Sequence, residues 1–222
     1  MTFASLSTPT TAAELRYLAL GDSYTIGEGV AESARWPALL AQQLRADGIA
    51  MSAPRIIAQT GWTTDELSAA MDAAGPLGEW DFVSLLIGVN NQYRGRSVED
   101  FRSEFSGLLT RAIQLARGRT DRVLVLAIPD WGVTPFAEGR NRANIATEVD
   151  AFNAVKRAIC ASRGVAFVDI SAVSRKFGGQ PTHLADDGLH PGPALYLEWA
   201  RAARSVARER LPGGMGREWG GE

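Results

Sequence analysis

The sequence lacks several features on which whole classes of protein depend. It contains a single cysteine, Cys160, so no disulfide can form within the chain. Cys160 follows a helical-looking segment with no histidine close in sequence, so we expect a buried structural thiol. No run approaches the ~18 consecutive apolar residues that indicate a transmembrane helix.

The chain also carries little excess charge of either sign. Its formal net charge is −2 and its basic residues are scattered, so no strong field favours a nucleic acid or an anionic membrane as partner. The arginine-rich stretch 201–210 is interleaved with Glu198 and Glu209, which is typical of the solvated face of a helix. We therefore expect a small molecule as the partner, and nothing in the sequence indicates an oligomeric state.

Both ends of the chain differ in composition from the middle. Residues 1–14 lack the basic start and the apolar run of about 7–15 residues that mark a secretory signal. We expect a flexible N-terminal tail there, on a cytoplasmic protein. Residues 212–222 are rich in glycine without periodicity, which predicts a flexible C-terminal tail. The length between them, residues 15–211, suits one domain.

Five short apolar runs predict strands. The runs are residues 17–20, 55–58, 82–87, 123–128 and 165–168. The third and fourth are apolar almost throughout and do not alternate with polar residues. Such runs are typical of strands that are buried on both faces, and hence of a parallel sheet.

Segments with helical periodicity follow each of these runs. They are residues 36–46, 64–71, 98–116, 145–161 and 193–210. A strand followed by a helix, five times over, predicts the α/β class: a three-layer α/β/α sandwich, flavodoxin-like, with a five-stranded parallel sheet. In such sheets the loops after the carboxyl ends of the strands form the ligand site.

Those loops carry the groups that ester cleavage needs. Ser23 offers a hydroxyl, which becomes a good nucleophile once a base such as His190 takes its proton. Asp187, three residues before His190, could hold the imidazole in the correct tautomer. The backbone N–H groups of Ser23 and Gly61 and the side-chain amide of Asn90 could stabilise an oxyanion. Each motif alone is typical of an ordinary turn or cap, and only their ordered combination favours catalysis.

The order of these motifs resembles that of the GDSL family, also called the SGNH hydrolases. The family's Gly-Asp-Ser-Leu block corresponds to Gly-Asp-Ser-Tyr at 21–24, its Gly-x-Asn-Asp block to Gly-Val-Asn-Asn at 88–91, and its Asp-x-x-His block to residues 187–190. The resemblance runs from about residue 18 to residue 199. It implies the SGNH hydrolase fold, a catalytic triad and an oxyanion hole. The implied triad is Ser23, Asp187 and His190, and the implied oxyanion hole is Ser23, Gly61 and Asn90.

Two positions depart from the family pattern. Tyr24 stands where the family has leucine, which we interpret as a packing variation. Asn91 replaces the aspartate that usually follows the motif asparagine, so we expect the local loop geometry to differ and the reaction to be the same. The residues around Ser23 do not form Gly-x-Ser-x-Gly, which disfavours the nucleophile elbow of the α/β-hydrolases.

Other residues near the motifs have two interpretations. Asp186 is a rival to Asp187, but only Asp187 has the family's spacing to His190, and His183, the other histidine, is interpreted as structural. Several aromatic residues adjoin the loops and either line a pocket for an acyl chain or aromatic leaving group or pack beneath a long loop. These are Tyr24, Trp62, Tyr93, Trp131 and Phe136.

The function predicted from these residues is that of a serine esterase or acylhydrolase. It would act on a small-molecule ester through an acyl-Ser23 intermediate, with no metal and no cofactor. A carbohydrate O-deacetylase, a thioesterase or a lysophospholipase would use the same groups. A non-catalytic binding protein is the alternative from another class, since a fold does not determine a function. A degenerate protein of that kind should lack part of the triad, and all three residues are present here.

Overall fold

The computed structural model describes residues 13–212. The flexible tails predicted for residues 1–14 and 212–222 lie almost wholly outside the described residues. They stay predictions, as do the domain bounds 15–211. Within the described part of the chain, no helix is both long and apolar enough to cross a membrane.

Five parallel strands form one sheet. They are β1 (Tyr17–Gly21), β2 (Arg55–Ala58), β3 (Phe82–Leu86), β4 (Val123–Leu126) and β5 (Ala166–Val168). Their order across the sheet is β2-β1-β3-β4-β5, and each neighbouring pair is parallel. The predicted parallel sheet is confirmed, and each predicted strand is present with bounds that differ by at most two residues.

The burial of the strands explains why they appear as apolar runs in the sequence. Every residue of β1, β3 and β4 is buried, because helices cover both faces of the sheet. The edge strand β2 is different, since Arg55 is exposed and Ile56 is only half-buried. A polar pair, Tyr17 and Ser84, is also buried, and its two hydroxyl oxygens lie 2.9 Å apart in a hydrogen bond.

Helices account for most of the remaining described residues. They are α1 (Ser23–Ile26), α2 (Trp36–Ala46), α3 (Thr64–Ala73), α4 (Val89–Tyr93), α5 (Val98–Leu115), α6 (Arg142–Ser162), α7 (Ser171–Phe177) and α8 (Pro193–Arg210). The five longest match the predicted helical segments, and α2 and α8 begin and end at the predicted residues. The sequence did not predict α1, α4 and α7, because so few residues show no period.

The helices form two layers. Helix α2 packs against α8 and α8 against α7, whereas α3 packs against α5 and α5 against α6. Two fully buried tryptophans, Trp36 of α2 and Trp199 of α8, belong to the first of these layers. The predicted α/β/α sandwich is therefore confirmed.

The strand order creates a crevice at one edge of the sheet. From β1 the chain goes to β2 on one side, and it then returns past β1 to β3 on the other side. At such a switch point the loops after the two central strands diverge and leave space for a ligand. Ser23 follows β1 and Asn90 follows β3, so both lie beside this crevice.

Candidate active site

A cavity of about 190 Å³ lies at the carboxyl ends of the central strands. It brings together residues from the loops after β1, β2, β3 and β4 and from the loop before α8. Its lining residues are Ser23, Tyr24, Thr60, Gly61, Val89, Asn90, Tyr93, Trp131, Phe136, Leu189 and His190. The sequence did not single out Thr60, Val89 or Leu189, although each adjoins a motif residue.

Ser23 begins α1 just after the end of β1. Asp22 caps this helix, because its Oδ1 accepts the Tyr24 N–H at 3.0 Å. A Cβ at Gly21 would clash with the carbonyl oxygen of Leu86, so glycine is required where β1 passes the end of β3. The backbone therefore places Ser23 in the lining of the cavity, where it is 4% exposed.

His190 and Asp187 form a hydrogen-bonded pair beside Ser23. His190 Nδ1 lies 2.5 Å from Asp187 Oδ2. Asp187 Oδ1 accepts the backbone N–H groups of Leu189 and His190, each at 2.9 Å. With the proton held on Nδ1 by the carboxylate, Nε2 is the ring nitrogen that can accept a proton.

The environment of Asp187 keeps it ionised. Burial raises the pKa of Asp187, but hydrogen bonds from the His190 ring and from the backbone N–H groups of Leu189 and His190 outweigh burial, so the pKa lies below its usual value. A carboxylate at this position can stabilise an imidazolium. The rival Asp186 is exposed and makes no hydrogen bond to His190 in the described part of the chain.

Ser23 and His190 line the same cavity, but no hydrogen bond joins Ser23 Oγ to the imidazole within residues 13–212. In unliganded enzymes the bond between nucleophile and base is often long and tightens when substrate binds. The ring of Tyr24 lies edge-on to the His190 ring, with their centroids 5.7 Å apart, and edge-on to Trp199 at the same distance. Tyr24 therefore helps to hold the imidazole, in addition to packing against the core.

The three predicted oxyanion donors also line the cavity. Asn90 Nδ2 donates one hydrogen bond to the Trp62 carbonyl at 2.8 Å, which orients the amide and leaves its second N–H available. The backbone N–H groups of Ser23 and Gly61 have no protein acceptor among the described residues. Gly61 has a φ of +87°, a conformation that favours glycine. Three donors are thus available on the lining of one cavity.

Asn91, which departs from the family pattern, is buried and does not line the cavity. Its Oδ1 accepts the Thr64 N–H at 3.1 Å, and its Nδ2 donates to Thr64 Oγ1 at 2.6 Å and to Glu104 Oε2 at 3.2 Å. An amide can donate to Glu104, whereas a carboxylate cannot. These bonds connect α4 to the start of α3 and to α5, and so help to set Asn90 relative to Gly61.

Three aromatic residues form one side of the cavity, and we refer to Tyr93, Trp131 and Phe136 as the aromatic cluster. Trp131 lies edge-on to Tyr93 and to Phe136, at centroid distances of 5.5 Å and 6.1 Å. Tyr93 is 48% exposed and Phe136 is 38% exposed, so the cluster extends from the cavity to the surface. Of the two interpretations drawn from the sequence, these residues fit the lining of a pocket.

Trp62 is the exception among the predicted aromatic residues. Its side chain is not in the cavity lining and packs against the hydrophobic core instead. Gly61, the residue before Trp62, has a left-handed backbone conformation, and the chain turns there. Only the Trp62 backbone carbonyl contributes to the site, as the acceptor for Asn90 Nδ2. His183 also lies outside the lining, where its ring stacks on Phe177 at a centroid distance of 5.0 Å.

A buried lysine lies behind the site. Lys156 of α6 is fully buried, and its Nζ donates to the carbonyls of Ile87 at 3.0 Å and Leu126 at 2.7 Å. Burial lowers the pKa of Lys156 to about 7 and raises the pKa of Asp22 to about 7. The sequence carries a signal for this burial, since Lys156 lies on the apolar face of α6 two turns after Val149.

The fold and the cavity residues define an α/β sandwich protein of the SGNH hydrolase type. A family model described as the GDSL-like Lipase/Acylhydrolase family matches residues 19–197. The chain belongs to this family, as its motifs predict.

Solved structures with the same fold include three that cover nearly the whole chain. TesA is 21% identical with a TM-score of 0.69, covering 88% of this chain and 99% of TesA. The lipase/acylhydrolase from Enterococcus faecalis is 19% identical with a TM-score of 0.69, and the match covers 91% of this chain and 100% of that protein. Axe2, an acetylxylan esterase from Geobacillus stearothermophilus, is 20% identical with a TM-score of 0.67, and the match covers 87% of this chain and 94% of Axe2. No curated protein sequence matches the chain.

Proposed function

We propose that the protein is a serine esterase in which Ser23 is the nucleophile, His190 the general base and Asp187 the residue that orients the base. The observation that carries this proposal is the 2.5 Å hydrogen bond between Asp187 Oδ2 and His190 Nδ1, in a cavity that His190 shares with Ser23. Membership of the lipase and acylhydrolase family supports it.

In the first half of the proposed reaction, Ser23 Oγ attacks the ester carbonyl carbon while His190 Nε2 takes the hydroxyl proton. The carbonyl oxygen becomes an oxyanion, which accepts hydrogen bonds from Ser23 N–H, Gly61 N–H and Asn90 Nδ2. The tetrahedral intermediate then expels the alcohol oxygen, which takes the proton from His190. The product of this half is an acyl-Ser23 ester.

In the second half, His190 takes a proton from a water molecule, which attacks the acyl carbon of Ser23. The same three donors hold the second oxyanion. Collapse of this intermediate releases the carboxylic acid and returns the proton to Ser23 Oγ. The proposed steps use only groups of this chain and water.

The size of the cavity favours a short acyl chain. At about 190 Å³ it is smaller than the ~300–1,000 Å³ of typical small-molecule pockets. We therefore expect kcat/KM to be highest for acetyl and butyryl esters in a 4-nitrophenyl series from two to twelve carbons. A maximum at eight carbons or more would contradict this expectation and would favour a lipase or lysophospholipase.

The test of the proposal compares the wild type with S23A on 4-nitrophenyl acetate. We expect S23A to lose at least about 10³-fold in kcat, because no other hydroxyl replaces the nucleophile. The control is S205A, which removes an exposed hydroxyl on α8. A fluorophosphonate probe should label Ser23 in the folded wild type, and absence of labelling together with equal rates in S23A would favour the non-catalytic binding protein.

A second candidate, an O-deacetylase acting on acetylated carbohydrate, is favoured by the exposed rings of Tyr93 and Phe136 beside a small cavity. Axe2, which is named as an acetylxylan esterase, has the same fold. Release of acetate from acetylated xylo-oligosaccharides, compared with 4-nitrophenyl acetate at equal enzyme concentration, tests it. A kcat/KM at least about tenfold higher for the oligosaccharide would support the second candidate over a general esterase.

A further inference from the structure

Arg140 contacts all three rings of the aromatic cluster. Its guanidinium carbon lies 5.4 Å from the ring centroid of Tyr93, 5.5 Å from that of Trp131 and 5.2 Å from that of Phe136. One of its nitrogens also donates to the Tyr93 hydroxyl at 3.2 Å. Because aromatic rings attract a nearby cation, these contacts hold the guanidinium in place although Arg140 is exposed.

The guanidinium of Arg140 keeps donors that the protein does not use. An arginine has five N–H donors, of which Tyr93 accepts one. No carboxylate of residues 13–212 forms an ion pair with Arg140. Arg94, another arginine near the cavity, differs in this respect, since it pairs with Glu66 at 3.1 Å and donates to the Gly61 carbonyl at 2.6 Å.

The rings that hold Arg140 also line the cavity that contains Ser23 and His190. Arg140 itself lies outside the lining, against the rings. A substrate whose ester group lies at Ser23 would have to extend along the aromatic cluster, beyond the cavity, to meet the guanidinium. A planar guanidinium pairs with two oxygens of a carboxylate or phosphate through parallel hydrogen bonds. Since ring contacts already restrict the side chain, little further conformational entropy is lost on binding.

We propose that Arg140 binds an anionic group, a carboxylate or a phosphate, that is carried by the substrate, so that the preferred substrate is an anionic ester. This inference rests on the proposed esterase function. The anionic group belongs either to the acyl part or to the alcohol part of the ester, and substrates charged on one part at a time separate these two sources.

The experiment measures kcat/KM for three matched pairs of substrates. On the acyl side, mono-4-nitrophenyl glutarate is compared with its uncharged methyl ester. On the alcohol side, 4-acetoxybenzoate is compared with its methyl ester, and 4-acetoxyphenyl phosphate with its dimethyl ester. The ratio of the charged to the uncharged substrate isolates the recognition of charge. We expect this ratio to fall about fivefold in R140Q for at least one pair, and to fall less in R140K, which keeps the charge but not the planar fork.

The matched control is R142Q, which removes the same charge two residues away. Arg142 donates to the Thr134 carbonyl and, among the described residues, makes none of the ring contacts that Arg140 makes with the aromatic cluster. An unchanged ratio in R140Q for all three pairs, or an equal fall in R142Q, would overturn the inference. So would an equal loss of kcat/KM on both members of every pair, because Arg140 would then only support the rings. Failure of the esterase proposal looks different, since the wild type would then hydrolyse none of these esters and no 4-nitrophenyl acetate.

Discussion

The imidazole of His190 is oriented by its own loop, because Asp187, only three residues earlier, lies 2.5 Å from Nδ1 and also accepts the His190 backbone N–H. The same carboxylate thus shapes the turn and positions the ring. Ser23, in contrast, comes from the opposite end of the chain and reaches the pair only because β1 is an inner strand of the sheet, next to the middle strand β3. The two halves of the proposed catalytic machinery therefore depend on different levels of structure.

The first prediction concerns the carboxylate that orients His190. D187N replaces an acceptor by an amide that can no longer hold the proton on Nδ1, so we expect kcat for 4-nitrophenyl acetate to fall by about 10³-fold or more with little change in KM. D186N is the control, because Asp186 is exposed and adjacent. A large loss in D186N with little loss in D187N would show that the rival aspartate is the partner of His190.

The second prediction concerns the oxyanion donors. N90A removes the amide whose second N–H is available in the cavity, and we expect kcat to fall by about 10²–10³-fold while KM changes little. The hydrogen bond to the Trp62 carbonyl is lost as well, which should lower the free energy of unfolding by about 1 kcal/mol. Steady-state kinetics and urea unfolding of N90A separate these two effects. A rise in KM with unchanged kcat would show that Asn90 binds the ground state only.

The third prediction concerns the departure from the family motif. N91D places a carboxylate against Glu104 and removes the donor that now bonds Glu104 Oε2 at 3.2 Å. We expect a loss of about 1–3 kcal/mol in the free energy of unfolding at pH 7.5, measured by urea denaturation. The new carboxyl group at position 91 loses its charge when it is protonated, so this loss should shrink as the pH falls towards 4.

The double variant N91D/E104Q provides the control for this third prediction. Its glutamine amide can donate to the new carboxylate, so we expect most of the lost stability to return. The wild type, N91D, E104Q and N91D/E104Q form a double-mutant cycle. Its interaction energy measures the contact between positions 91 and 104. An interaction energy near zero would contradict the direct contact.

The fourth prediction is a pH dependence of stability that comes from Lys156. Burial lowers the pKa of Lys156 from its ordinary 10.5 to about 7 in the folded protein. Between these two pH values the unfolded chain binds a proton that the folded protein does not, so this group makes the folded state more stable as the pH rises. Its contribution is complete above about 10.5 and is lost as the pH falls through about 7.

The variant K156M removes this dependence. We expect the free energy of unfolding of the wild type to rise between pH 7.5 and 9.5 relative to K156M, by at most about 1.4 kcal/mol per pH unit. Urea unfolding at three pH values measures the two slopes. K176M removes an exposed lysine and should leave the slope of the wild type unchanged. Equal slopes in the wild type and K156M would show that Lys156 stays protonated throughout this range.

The architecture was predictable because burial restricts composition. Strands β3 and β4 are covered on both faces, so their residues are apolar without alternation. Helices α2 and α8 pack against each other and each buries one apolar face, so their helical period predicted the first and last residue of both. The short helices α1 and α4 carry site residues, but they are too short to show a helical period in the sequence. Local turn geometry determines where they form.

The amino-acid sequence by itself determined the class of fold, the family and the motif residues, because strand burial, helix period and the spacing of Asp187 to His190 are local properties. Only the tertiary structure decided which side chains meet at the crevice. In the folded protein Trp62 lies outside the pocket, Lys156 is buried and bonded to the carbonyls of Ile87 and Leu126, and Arg140 lies against three rings. The physical reason is that the surroundings of a side chain depend on elements distant in sequence, which meet only when the sheet assembles in the order β2-β1-β3-β4-β5.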